Sequence, residues 1–113
     1  MSKQRRDRDY LADVQEAMAR IVAYTADLSY EQFLNDAKTQ DAVIRNLQVI
    51  GEAAKRLSGP LKRASPHIPW KEMAGMRDKV THEYFGINYE IVWTVARQQL
   101  PSLLPGIVSL LEA

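Results

Sequence analysis

One stretch of this chain gathers several residue types able to do chemistry: Arg77-Asp78-Lys79-Val80-Thr81-His82-Glu83-Tyr84. At about 100° per residue on a helix, Arg77 and Tyr84 fall within about 20° of each other. Asp78 and His82 are four apart and share a face, so the carboxylate can accept a hydrogen bond from the imidazole and fix its tautomer. Arg77 and His82, five apart, diverge by about 140° on an ideal helix. They meet one substrate only if the arginine reaches around, the helix end distorts, or a second copy of the motif faces the first. The last option ties the chemistry to a dimer, whose groove would hold two arginines and two histidines.

This set of groups suits phosphodiester cleavage without a metal. Arginine offers a planar fork of donors that matches phosphate oxygens and stabilises charge developing on phosphorus. Histidine, with a reference pKa of about 6.5, exchanges protons with a ribose hydroxyl or a leaving oxygen near neutral pH. RNA brings its own nucleophile, the 2′-hydroxyl. Without further context, an Arg-Asp-Lys run on a helix is more often a solvated charged face. Lys55, Arg56, Lys62 and Arg63 form a local basic cluster that either guides RNA or is simply solvated. His67 lies between two prolines and suits an ordinary loop, while Trp70 and Trp93 suit core anchors. There is no His-Glu-x-x-His, no Asp-rich loop, no phosphate-binding Gly-rich loop and no dinucleotide fingerprint. Neither a metal nor a cofactor is expected.

The elements that must position these residues are helical. The chain has 113 residues, enough for one domain spanning 1–113, and 46% of them are hydrophobic, enough for a core. A net charge of +1 gives no reason for nonspecific capture of nucleic acid, so any such binding needs a local basic surface. The absence of cysteine excludes disulfides, thiolate metal sites and cysteine nucleophiles. The charged segment Met1 to Tyr10 lacks the apolar run of a signal peptide, and no stretch approaches the roughly 18 apolar residues of a membrane span. A soluble cytoplasmic protein is expected.

Apolar residues at three- and four-residue steps predict a first helix over about Arg5 to Leu28, with Tyr10, Leu11, Val14, Ala17, Met18, Ile21 and Val22 on one face. Ser29 and Gln32 have the spacing of a capping box for a short helix carrying Phe33 and Leu34. A long helix starts near Asp36 or Thr39 and ends near Leu57, where Ser58-Gly59-Pro60 stops it. Gly51 inside it suits close approach by a neighbouring helix. After a stretch from Pro60 to Pro69 that is either irregular or a brief turn of helix, a helix from Trp70 to about Tyr84 carries the polar motif, with Pro69 as its first residue. Asn88 is the N-cap of a last helix burying Ile91, Val92, Val95 and Leu100, kinked or restarted at Pro101. The fold predicted is all-α: an antiparallel up-and-down bundle of four main helices plus one or two short ones. The very apolar tail from Leu103 to Leu111 predicts burial against another copy.

At these residues the chain resembles the HEPN superfamily, and within it the HepT-like toxins. Arg77-Asp78-Lys79-Val80-Thr81-His82 matches the family's Arg/His signature, and Tyr84 completes the longer Arg-x4-His-x-Tyr form. Arg45-Asn46-Leu47-Gln48-Val49-Ile50-Gly51-Glu52-Ala53, Pro69-Trp70, Met73-Ala74-Gly75-Met76, Phe85-Gly86 and Ile91-Val92-Trp93 also look like the family, so the match covers essentially the whole chain. The resemblance implies a metal-independent ribonuclease working as a homodimer, or a higher oligomer built from dimers, with its Arg/His motifs meeting at the interface. It implies a type VII-like toxin–antitoxin pair whose partner is an MntA-like minimal nucleotidyltransferase, which transfers AMP from ATP to Tyr84. By the same resemblance Arg77 holds phosphate, His82 is the acid or base, Asp78 orients one of them, and Asn46 and Glu52 support the cleft. The alternative is a noncatalytic module that binds nucleotide or RNA, or presents substrate to a partner nucleotidyltransferase.

Overall fold

A computed structural model describes residues 5–81 and 86–113, and at 77 and 79–81 the backbone alone. The described chain forms an antiparallel all-helical bundle with no strand. Its long members are α1 (Asp7–Thr25), α3 (Ala37–Arg56), α5 (Trp70–Thr81), and a last helix running through α6 (Tyr89–Thr94) and α7 (Leu100–Glu112). Two short helices, α2 (Tyr30–Leu34) and α4 (Gly59–Ala64), fill the connections. The central member is α3, which packs on α1 and on α5, while α1 also packs on α7.

Several helices start where a side chain can satisfy an otherwise unpaired backbone N–H. Asp9 accepts from the Arg6 N–H at 3.0 Å, and acidic Asp7 and Asp9 sit in the first turn of α1, where the helix dipole favours them. The Ser29 and Gln32 capping box forms as its spacing predicts: the Gln32 N–H donates to Ser29 Oγ at 3.1 Å, and the Ser29 N–H donates to Gln32 Oε1 at 2.9 Å. Asp36 caps α3, accepting from the Thr39 N–H at 3.0 Å and the Thr39 hydroxyl at 2.7 Å. Those two bonds favour the carboxylate and lower the Asp36 pKa, the hydroxyl bond most. Asn88 Oδ1 accepts from the N–H groups of Glu90 and Ile91, which makes Asn88 the expected N-cap of α6.

The predicted stripe of α1 faces the core, with Tyr10 and Val22 only partly buried. Leu11, Val14, Ala17, Met18 and Ile21 of α1 pack with Val43, Leu47, Ile50 and Ala54 of α3 and with Met73 and Met76 of α5, all buried in one cluster. Buried polar groups are paired, as low polarity demands. The Thr25 hydroxyl donates to the Ile21 carbonyl at 2.9 Å, and the Gln40 amide donates to the carbonyls of Phe33 and Leu34, tying α2 to α3.

Two local expectations need correction. Ile91 is 37% exposed instead of inward, because Val92, Val95, Ala96 and Leu100 define the buried stripe of the last helix. The last helix restarts at Pro101 as expected: α7 begins at Leu100 with Pro101 in its first turn, after a π turn over Val95–Gln99 in which the Leu100 N–H bonds to the Val95 carbonyl. The wider turn suits a position where the proline ring crowds the preceding turn. Pro69 precedes α5, which begins at Trp70. Its carbonyl accepts from the Met73 N–H at 3.0 Å, so it stands one position earlier than expected. In the apolar tail only Ile107 is fully buried, and Leu103, Leu104, Val108, Leu110 and Leu111 stay half-buried.

Candidate functional site

The helix that carries the polar motif is fastened at its beginning. The Trp70 side chain is buried, and its indole N–H donates to the Ser65 carbonyl at 3.0 Å, closing the turn that leads into α5. One turn later Met73 and then Met76 insert into the core against α3. Arg77 follows directly, in the helical part of α5. Its side chain lies outside the described residues, as do His82 and Tyr84 altogether. Asp78 is exposed on the same helix. Beyond the motif Gly86 has a φ of 112°, one that L side chains rarely adopt. The structure therefore places the Arg77 and Asp78 positions on a rigidly docked helix, and the relation of His82 and Tyr84 to them is a sequence expectation.

The remaining predicted site residues divide between two surfaces. Asn46 is buried on the α1 side of α3, and its amide donates to the Ala42 carbonyl at 2.8 Å. Glu52 accepts from Arg56 at 2.9 Å and lines a cleft between α1 and α3. Lys55 lies about 100° around α3 from Arg56, so the two lysine and arginine neighbours do not share a face. Lys62 and Arg63 sit in the last turn of α4, where the Arg63 guanidinium lies over Gly59. The basic cluster legible in the sequence is thus spread over two helices, and Arg56 is its member in the cleft.

That cleft, about 370 Å³, was not anticipated from the sequence. Arg5, Tyr10 and Asp13 line it from the α1 side, and Arg45, Glu52 and Arg56 from α3. Arg5 pairs with Asp13 at 2.8 Å and covers the Tyr10 ring at 4.8 Å from its centroid. The Asp13 hydrogen bond raises the Arg5 pKa, and the Glu52 hydrogen bond raises that of Arg56, so both guanidiniums are held charged. Arg45 is exposed and has no hydrogen bond or ion pair among the described residues. The signal that could have found this cleft is the stripe Arg45, Gln48, Val49, Glu52, Arg56, spaced to share one side of α3. Among the described residues no group of three His, Cys, Asp or Glu side chains could hold a metal ion, and no helix is long and apolar enough to cross a membrane.

Comparison with known proteins places this architecture. A family model described as "Ribonuclease HepT-like" matches residues 14–110. The chain is 48% identical over 99 residues to a protein of Thermococcus cleftensis named "Probable ribonuclease HepT", covering 88% of this chain and 90% of that one. It is 45% identical over 105 residues to a "Putative RNase" of Methanocaldococcus jannaschii, covering 93% and 87%. A third similar protein, also named a "Putative RNase", comes from Caldanaerobacter subterraneus, with 36% identity over 93% of this chain and 94% of its own length. No solved structure matches. The chain belongs to the HepT-like family of the HEPN superfamily.

Proposed function

We propose that this protein is a metal-independent endoribonuclease, the toxin of a toxin–antitoxin pair, acting as a homodimer whose two Arg77/His82 motifs share one cleft. The observation that carries this reading is family membership together with the intact motif Arg77-x4-His82-x-Tyr84, beginning on a helix that the core holds in place. His82 takes the proton of the 2′-hydroxyl, and the 2′ oxygen forms a bond to phosphorus. The bond from phosphorus to the 5′ oxygen breaks, and that oxygen takes up a proton. The products are a 2′,3′-cyclic phosphate and a 5′-hydroxyl end. Arg77 stabilises the negative charge that builds on the phosphorus oxygens, and Asp78 orients the imidazole from one turn away. A dimer supplies a second histidine, so one can act as base and the other as acid.

Regulation would act through the same sequence motif. A nucleotidyltransferase antitoxin transfers AMP from ATP to the Tyr84 hydroxyl, releasing pyrophosphate. The added phosphate brings negative charge and bulk to the motif, seven residues along the sequence from Arg77, which excludes a phosphate-bearing substrate.

The test is cleavage of RNA by the purified protein in EDTA, with end analysis. Wild type is expected to leave cyclic phosphates, and Arg77→Ala and His82→Ala, folded and dimeric, are expected to leave RNA intact and to lose growth inhibition. Cleavage retained by both variants refutes the assigned roles. RNA binding by wild type without cleavage would favour the noncatalytic module. Intact mass after coexpression with the antitoxin should show added AMP that Tyr84→Phe abolishes.

A further inference from the structure

Three cations lie in one line along the exposed side of α3. Lys38 and Arg56 are eighteen residues apart, five whole helical turns, so they project in the same direction, and Arg45 falls within about 20° of that line. At about 1.5 Å per residue the row is about 27 Å long. All three are exposed, and the cleft between α1 and α3 opens beside two of them, Arg45 and Arg56. Among the described residues Lys38 and Arg45 have no hydrogen bond or ion pair. Arg56 holds Glu52 in a pair whose side chains are 58% and 45% exposed, a solvent-screened contact that a phosphate can share or replace at little cost. Arg5, Arg45 and Arg56 set against Asp13 and Glu52 leave the cleft with one excess positive charge.

Such a row cannot close on a single phosphate, because its ends are too far apart. It suits a chain of phosphates lying along the helix, each met by a guanidinium or ammonium. The cleft volume of about 370 Å³ is near the lower end for small-ligand sites, about 300–1,000 Å³, and accommodates one nucleotide unit of that chain. We propose that the Lys38–Arg45–Arg56 face of α3 is a backbone-binding track for single-stranded RNA, outside the Arg77/His82 motif. The choice of RNA as the polyanion rests on the ribonuclease reading above. The track sets affinity and the direction of the strand and carries no base specificity, since its contacts are to phosphate.

The test uses the full chain and a 2′-O-methyl RNA oligonucleotide, which lacks the nucleophile and so cannot be cut by this chemistry. Binding is followed by fluorescence anisotropy over a salt series, with circular dichroism to confirm the fold of each variant. Arg45→Gln and Arg56→Gln should each weaken binding several-fold and make the logarithmic salt slope shallower by about 0.7, the single-strand value for one lost phosphate contact. Lys38→Gln should do the same, whereas Arg97→Gln, the same charge removed beside Trp93, should not. If all three track variants bind and respond to salt as wild type does, the track is refuted even when the protein cleaves RNA. If the protein never cleaves RNA yet the Arg45 dependence holds, the track stands and the nuclease reading falls. Dependence on Arg45 seen with cytidine monophosphate but not with the oligonucleotide overturns a strand in favour of a free nucleotide. Equal displacement by poly-glutamate at matched charge assigns the face to an acidic protein and also overturns it.

Discussion

Met73→Ala tests whether α5 is fastened to α3 in the way that the site requires. Met73 is fully buried, one turn before Arg77. The substitution removes three heavy atoms, worth about 0.8 kcal/mol each in transfer, or about 2.4 kcal/mol. Incomplete collapse adds about 24 cal/mol per Å3 of void, so a residual space of about 40 Å3 contributes about 1 kcal/mol more. Alanine is at least as good a helix former as methionine, so propensity does not add to the loss. The expected destabilisation is about 3 kcal/mol, a large share of the roughly 5–15 kcal/mol of a typical domain. In a chain of this size that lowers Tm by about 12 °C. Urea unfolding followed by tryptophan fluorescence measures it directly, since Trp70 stands at the start of α5. Lys71→Ala, an exposed change on the same helix, should stay within about 0.5 kcal/mol. A loss below about 1 kcal/mol for Met73→Ala, at unchanged m-value, would show that this side chain does not anchor the motif helix.

Other substitutions probe the ends of the elements. Asn88→Ala removes the acceptor for two N–H groups at the start of α6 and should cost about 1 kcal/mol, read from the urea midpoint. Gly86→Ala forces an alanine to φ near 112° and should cost about 1–3 kcal/mol by the same measurement, although none of the described residues beyond its chain neighbours comes within 4 Å of the added methyl. Asp36 has a folded pKa below its ordinary 3.8, so its charged cap stabilises the protein above that value and the contribution is lost as pH falls through the folded pKa. Wild type and Asp36→Asn should therefore differ in stability at neutral pH and converge in acid; a constant difference across the acid range would refute the assignment.

Much of the scaffold could be foreseen because the signals were local. The buried stripes of α1 and α3, the Ser29/Gln32 box and the Asn88 cap each depend on residues within a turn or two of one another. On the last helix Val92, Val95 and Leu100 turn inward as their spacing predicts, whereas Ile91, next to Val92, falls at the edge of that face and is 37% exposed. The motif itself was conspicuous in sequence. The α1–α3 cleft was not: Arg5 and Asp13 lie some 30 to 50 residues from Arg45 and Arg56, and only packing brings them together. Arg56 was noticed as part of a basic run, yet its neighbours in space are Glu52 and Tyr10, not Lys62 and Arg63.

The π turn has a consequence for how this helix tolerates changes in length. It holds one residue more than an α-helical path would over the same span, and it absorbs the surplus locally. Removing one residue between Val95 and Gln99 would let the segment wind as ordinary α-helix. Leu100 and Ile107 would then keep within about 20° of their present direction relative to Val92. A deletion there should spare the packing of the C-terminal helix, whereas the same deletion two turns further on would rotate the end of the chain by about 100° and expose what it now covers.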